Sequence, residues 1–218
     1  MTAPTWTRRR FLTTTAAGAA AAAFLAACGS EQASTSAAKE PAKWGGDLVD
    51  PGLAKPDVTL TTTDGKPFPF REATKGKLTL LFFGFTSCPD QCPIWLNSLA
   101  RAREQIGSGP GSDPQVLFVG VDVQRDTPEM LDKYLARVDP TFIGLTGPES
   151  AIAAANKALY FPPITIGSPD GTGNYEVGHY GKAVAFTPDN LGHRLYGYDV
   201  RSTQLAHDLP LLAAGTYQ

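Results

Sequence analysis

The chain has 218 residues with 42% hydrophobic side chains, enough for one well-packed domain and a tail. Its formal net charge of -2 offers no basic stripe, which removes nucleic-acid binding from the functions to be considered.

Residues 7–12 read T-R-R-R-F-L, and an alanine-rich apolar run follows over 16–27, too short and too weakly apolar to span a membrane comfortably. This predicts an export signal peptide over 1–27. The paired arginines resemble a twin-arginine signal, with an arginine-rich general secretion leader as the other reading. The run ends in L-A-A-C-G at 25–29, which resembles the lipobox of a bacterial lipoprotein, so cleavage before Cys28 and lipidation of its sulfur are expected, with an ordinary small-residue cleavage site and an incidental cysteine as the other reading. That assignment also settles the cysteine arithmetic. Of three cysteines, it sets Cys28 apart and leaves Cys88 and Cys92 as a self-contained pair.

Residues 28–47, most clearly 29–43, are small, polar and aperiodic, as expected of a flexible tether between a membrane anchor and a domain over 48–218. Residues 44–56 show no clean period and are expected to wrap the domain surface as an irregular lead-in. Residues 58–70 alternate around Asp64-Gly65 and predict a hairpin, with Pro67 and Pro69 confining its second arm to a sheet edge.

Residues 78–83, Leu-Thr-Leu-Leu-Phe-Phe, form an uncharged apolar run that climbs to Gly84, Phe85 and then Cys88 and Cys92. The run predicts a buried strand. Pro93 suits a first helical turn, so a helix should begin at about Cys92 and run to the Gly and Pro cluster over 107–114, with Cys92 near the positive end of its dipole. Residues 115–121 predict another strand. Thr127-Pro128-Glu129 then starts a helix over 128–138, residues 142–145 give a short strand, and Gly147-Pro148-Glu149 starts a helix to about 159. Residues 161–173 read as a long surface loop. Residues 182–187 and 193–198 predict an antiparallel hairpin, and Ser202 opens a last helix that Pro210 disturbs near its end. Successive βα units followed by ββα imply an α/β, thioredoxin-like fold: three layers, with a central mixed sheet flanked by helices.

Two cysteines at i and i+4 permit a disulfide or two thiolates on one metal, and a helix start would lower at least one thiol pKa. Two thiolates select a soft ion, Cu(I) above all, or zinc, and a closed zinc site would want more protein ligands than this pair and three histidines readily offer. One added imidazole would let the site hold Cu(II) as well. His207 and His193 read most simply as surface residues. His179, between Gly178 and Tyr180-Gly181 and just ahead of a core strand, is better placed for presentation from a loop. Thr86, two residues before Cys88, also raises a peroxidase, although no partner arginine is evident.

F-G-F-T-S-C-P-D-Q-C-P at 83–93, V-D-V-Q-R-D-T-P at 121–128, L-T-G-P at 145–148 and Tyr175-x-Val177-x-His179 together resemble the SCO/SenC family of copper-binding thioredoxin-like proteins, in order, from Leu48 onward. The resemblance implies that Cys88, Cys92 and His179 bind copper, as Cu(I) or Cu(II). It places Asp122 near the metal loop, with capping of that loop as its structural alternative. Val123 stands where the family usually has Pro, and Tyr180 where a small hydroxyl residue often follows the histidine. The implied function is a copper metallochaperone rather than an enzyme, lipid-anchored on the extracytoplasmic face of the cell membrane, with the copper-site subunit of cytochrome c oxidase as its partner. A thiol-disulfide oxidoreductase that reduces the cysteines of that site is the alternative.

Overall fold

The computed structural model describes residues 43–218; the expected signal peptide, the lipobox with Cys28 and most of the expected tether lie outside them. In chain order the elements are β1 (Asp47–Ala54), β2 (Thr59–Thr62), β3 (Pro67–Pro69), α1 (Phe70–Ala73), β4 (Thr79–Gly84), α2 (Gln91–Ile106), β5 (Gln115–Gly120) and α3 (Pro128–Ala136). They continue as β6 (Ile143–Thr146), α4 (Glu149–Ala158), β7 (Thr165–Ile166), β8 (Val177–Gly178), β9 (Lys182–Phe186), β10 (Leu191–Gly197) and α5 (Ser202–Ala213).

An eight-stranded sheet in the order β1-β10-β9-β4-β5-β6-β2-β3 forms the middle layer. Strands β4, β5 and β6 are mutually parallel, because α2 and α3 carry the chain back between them, and their neighbours on both sides are antiparallel. Since β4 is buried on both faces, its residues alternate between two cores. Leu80 and Phe82 pack with Trp95, Leu99, Leu131 and Leu205 of α2, α3 and α5. Leu81 and Phe83 pack on the other side with Ile152 of α4, Leu60 and Phe70. This is the expected three-layer, thioredoxin-like arrangement.

The β2–β3 hairpin forms around Asp64-Gly65, and β3, with Pro67 and Pro69, is a rim of the sheet as their missing N–H groups require. The lead-in differs from expectation. Residues 47–54 are not irregular but form β1, paired with β10 through an irregularity between Leu48 and Leu53. Ordered packing also begins ahead of Leu48: Arg194 lies 4.1 Å over the Trp44 ring, and the Gly45 N–H donates to Asp208 at 2.8 Å. The expected loop over 161–173 contains β7, which pairs with β8 as a separate two-stranded ribbon. Helix α5 continues through Pro210 to Ala213. Gly111, at φ +79°, brings its backbone against Leu209 and Pro210, where an added Cβ would sit 2.5 Å from backbone atoms.

Candidate metal and thiol site

The C-terminal ends of β4 and β5 lie side by side, with Gly84 opposite Gly120. Beyond them the chain turns into the Cys88 loop on one side and the Asp122 loop on the other. Strand β9 runs antiparallel to β4, with Leu81 opposite Val184, so its first residues reach the same end of the sheet. His179, three residues ahead of β9, is thereby brought to the face that carries the cysteines.

Helix α2 starts at Gln91, capped by Asp90, whose carboxylate accepts from the Gln91 N–H at 2.5 Å. Cys92 is fully buried in the first turn and Cys88 is half-buried just outside it; both are free thiols. The Cys92 N–H donates to the Cys88 sulfur at 3.4 Å. A hydrogen bond from the Cys92 thiol, aided by backbone N–H groups of Cys92, Asp90 and Gln91, lowers the Cys88 pKa to about 6. Its role as donor to Cys88, and then burial, push the Cys92 thiol up instead. The Cys92 thiol first, and the backbone N–H groups at the helix start second, thus favour a thiolate on Cys88, outside the helix, and not on Cys92 within its first turn.

The His179 ring stands edge-on to Phe85 at 5.6 Å and to Phe82 at 5.9 Å between centroids. Its Nδ1 lies 3.1 Å from the Tyr180 carbonyl, so a neutral ring donating there keeps its Nε2 lone pair free. Burial pushes its pKa down, which favours that neutral form. The following residues approach the start of α2, because a Cβ added to Gly181 would lie 3.2 Å from the Gln91 side-chain oxygen. The cysteines are joined by contact, but among the described residues no three His, Cys, Asp or Glu side chains are gathered closely enough to hold a metal ion. His179 therefore shares the cysteines' face without completing a three-ligand cluster.

Of the other two histidines, both expected at the surface, His193 is not there and His207 is only partly so. His193 is buried, its ring is stacked 3.5 Å from that of Tyr217, and it lies 2.8 Å from the Asp189 carboxylate. His207 is half-buried, bonded to Asp208 at 2.7 Å and edge-on to Trp44. Thr86 is also engaged, since its N–H and hydroxyl both donate to Asp126, at 2.8 Å and 2.7 Å, which leaves the hydroxyl no proton to offer a peroxide.

Asp122 does more than cap its loop. Its backbone carbonyl accepts from Arg125 and Asp126, while its buried carboxylate is bonded by the Arg125 guanidinium and by the Tyr175 hydroxyl at 2.7 Å. Arg125 in turn lies 3.8 Å over the Tyr175 ring. Sequence reasoning passed over Arg125, Asp126 and Tyr175 as individual residues, although the motifs V-D-V-Q-R-D-T-P and Tyr175-x-Val177-x-His179 contain all three.

In chemical terms, the face presents one thiolate-prone sulfur, one buried protonated sulfur and one neutral imidazole. This donor set fits a soft or borderline metal.

The comparisons agree with that chemistry. A family model described as SCO1/SenC matches residues 50–213. A protein of Stutzerimonas stutzeri named as a copper-binding protein is 35% identical over 136 residues, covering 62% of this chain and 65% of the relative. The chain spans 44% to 65% of the length of this and three further curated relatives it matches. Among solved structures, apo Sco1 of Thermus thermophilus has a TM-score of 0.69 at 31% identity, covering 79% of this chain and 99% of that one. Arabidopsis thaliana ScoI with copper bound has a TM-score of 0.66 at 28% identity, covering 75% and 99%. The match runs from within β1 to the end of α5 and takes in the cysteine loop, the Asp122 loop and the His179 segment, so the chain belongs to the SCO1/SenC family.

Proposed function

We propose that this protein is a copper carrier in which Cys88, Cys92 and His179 take copper as cargo and pass it to the copper-site subunit of cytochrome c oxidase. The observation that carries this reading is the placement of two contacting thiols and a half-buried imidazole at one end of the sheet, with His179 packed on Phe82 of the strand that leads into the cysteine loop and on Phe85 just beyond it. A thiolate at Cys88 gives copper a first anchor, Cys92 adds the second sulfur on losing its proton, and His179 closes the site from its ribbon. Ligand exchange at the half-exposed Cys88 then hands the ion on. Solved structures of family members with copper bound support the cargo. Delivery to the oxidase is what the family likeness implies. Export, lipidation at Cys28 and a tether ending ahead of Trp44 would hold the domain at the extracytoplasmic membrane face and raise its effective concentration near a membrane partner. No helix among the described residues is long and apolar enough to cross a membrane.

A second reading, a thiol-disulfide oxidoreductase acting on the cysteines of the same partner, is favoured by the paired free thiols and the lowered pKa of Cys88. Anaerobic copper titration of the reduced chain separates the two. The carrier binds one copper, with affinity lost in Cys88→Ser and reduced in His179→Ala. A wild-type chain that holds no copper yet reduces a protein disulfide, with His179→Ala neutral, would reverse the assignment.

A further inference from the structure

The ribbon that delivers His179 is slight. Its pairs are Thr165 with Gly178 and Ile166 with Val177, and it forms a sheet of its own rather than a rim of the large one. An open cleft of about 700 Å³ lies between it and the cysteine loop, lined by Phe85, Ser87 and Pro89 on one side and Tyr175 and Val177 on the other, with Arg125 also in its wall. So short a ribbon needs an outside tether if the histidine is to arrive in one place.

We infer that Tyr175 is that tether: a positioning residue whose hydroxyl, held by Asp122, and whose ring, held under Arg125, fix the His179 segment for copper capture. The Tyr175 O–H donates to one oxygen of Asp122 at 2.7 Å and the Arg125 guanidinium to the other, so a carboxylate that is 1% exposed has both oxygens engaged. Arg125 lies 3.8 Å over the Tyr175 ring, which adds a cation–π contact, and its Nη2 reaches the Tyr175 carbonyl at 3.5 Å. One side chain is therefore gripped at hydroxyl, ring and backbone by the loop that follows β5. That loop is itself tied to the cysteine loop, because Asp126 accepts from the N–H and hydroxyl of Thr86 at its start. An unbroken chain of contacts runs from the cysteine loop through Asp126, Asp122 and Tyr175 to the segment bearing His179. Copper capture then starts from a segment already held on the cysteines' face, not from a free loop finding its target.

This inference rests on the reading of His179 as the third copper ligand, and Tyr175→Phe in the full chain tests it. The variant keeps the ring under Arg125 and loses only the hydroxyl; Tyr160→Phe, at a residue that is 87% exposed, is the control. In the copper-free protein, amide hydrogen exchange over 177–181 should quicken roughly tenfold in Tyr175→Phe alone, the expected scale for loss of a hydrogen bond to a charged group, with the thermal midpoint held. In the copper(II)-loaded protein, the nitrogen hyperfine signal of the histidine should weaken, and copper should escape to a chelator about 10- to 100-fold faster. Unchanged exchange over 177–181, or an unchanged nitrogen signal and escape rate, overturns the role of Tyr175. A wild-type chain that takes up no copper overturns the carrier reading instead, and leaves the exchange comparison to decide whether Tyr175 holds the ribbon.

Discussion

The backbone N–H of Cys92 points at the sulfur of Cys88 from 3.4 Å, so one cysteine of the pair stabilises the other as a thiolate while keeping its own proton. The division of labour follows from position. Cys88 faces the helix start from outside, and Cys92 is sealed beneath it among Phe82, Trp95 and Leu96.

Alkylation should therefore discriminate between them. The thiolate is the reacting species, and with its pKa lowered to about 6, Cys88 is largely ionised at neutral pH. Its rate with iodoacetamide should change little above about pH 7 and fall as pH drops through the lowered pKa, whereas an ordinary thiol gains rate up to about pH 9. Peptide mapping after brief labelling should show modification at Cys88 and little at Cys92. Equal labelling, or a rate that climbs steadily through the alkaline range, would contradict the assignment.

Copper uptake should release protons in a countable way. At about pH 7.5, Cys88 is already a thiolate, burial holds His179 neutral and Cys92 still carries its proton, so roughly one proton should leave per copper bound. The sign follows directly: ligands must be deprotonated, so affinity rises with pH while Cys92 is the protonated partner. Below about pH 6 the count should approach two as Cys88 takes up a proton. Calorimetry in buffers of different ionisation enthalpy gives the number, and two protons per copper at about pH 7.5 would show that Cys88 is not ionised beforehand.

Gly84→Ala should damage both stability and the site. A Cβ there would lie 2.7 Å from the Phe118 ring and 3.0 Å from the Cys92 sulfur, in a core with no slack. Overpacking of this kind costs about 1–3 kcal/mol. Urea unfolding should report the loss, and the pH profile of Cys88 alkylation should shift as Cys92 is displaced. A variant with wild-type stability and profile would mean that the strand end yields easily.

Asp126→Ala should loosen the junction of the two loops. The Asp126 carboxylate accepts from the backbone N–H groups of Thr86 and Asp122, and each such group left without an acceptor costs about 1–3 kcal/mol. Faster amide exchange at residues 86 and 122, with a lower unfolding midpoint, is the expected result. An unchanged midpoint would show that solvent replaces the carboxylate without cost.

The run from β4 into α2 is legible in the sequence because its determinants are local: an apolar stretch buried on both faces, a glycine at the strand end and a proline in the first helical turn. The β2–β3 hairpin is legible for the same reason, through Asp64-Gly65. Strand β1 is not, since its residues carry no period and its pairing is supplied by β10 more than a hundred residues later. His193 reads as exposed beside Arg194, yet Tyr217 from the far end of the chain covers it. The grip on Tyr175 is equally hidden, because its partners stand 50 and 53 residues away. The cysteine spacing marks a thiol pair but not which sulfur ionises. That depends on which one faces the amide groups of α2, a matter of three-dimensional direction.

The prolines at the two rims of the large sheet bear on whether copies of this chain can pair edge to edge. Pro67 and Pro69 interrupt the backbone donors of β3, and Pro51 with its neighbouring irregularity does so in β1. Neither flank offers a visiting strand an unbroken ladder to extend. Chain-to-chain fibril growth, which needs a continuous row of edge donors and acceptors, is thus denied a template at both rims by the same few imino acids.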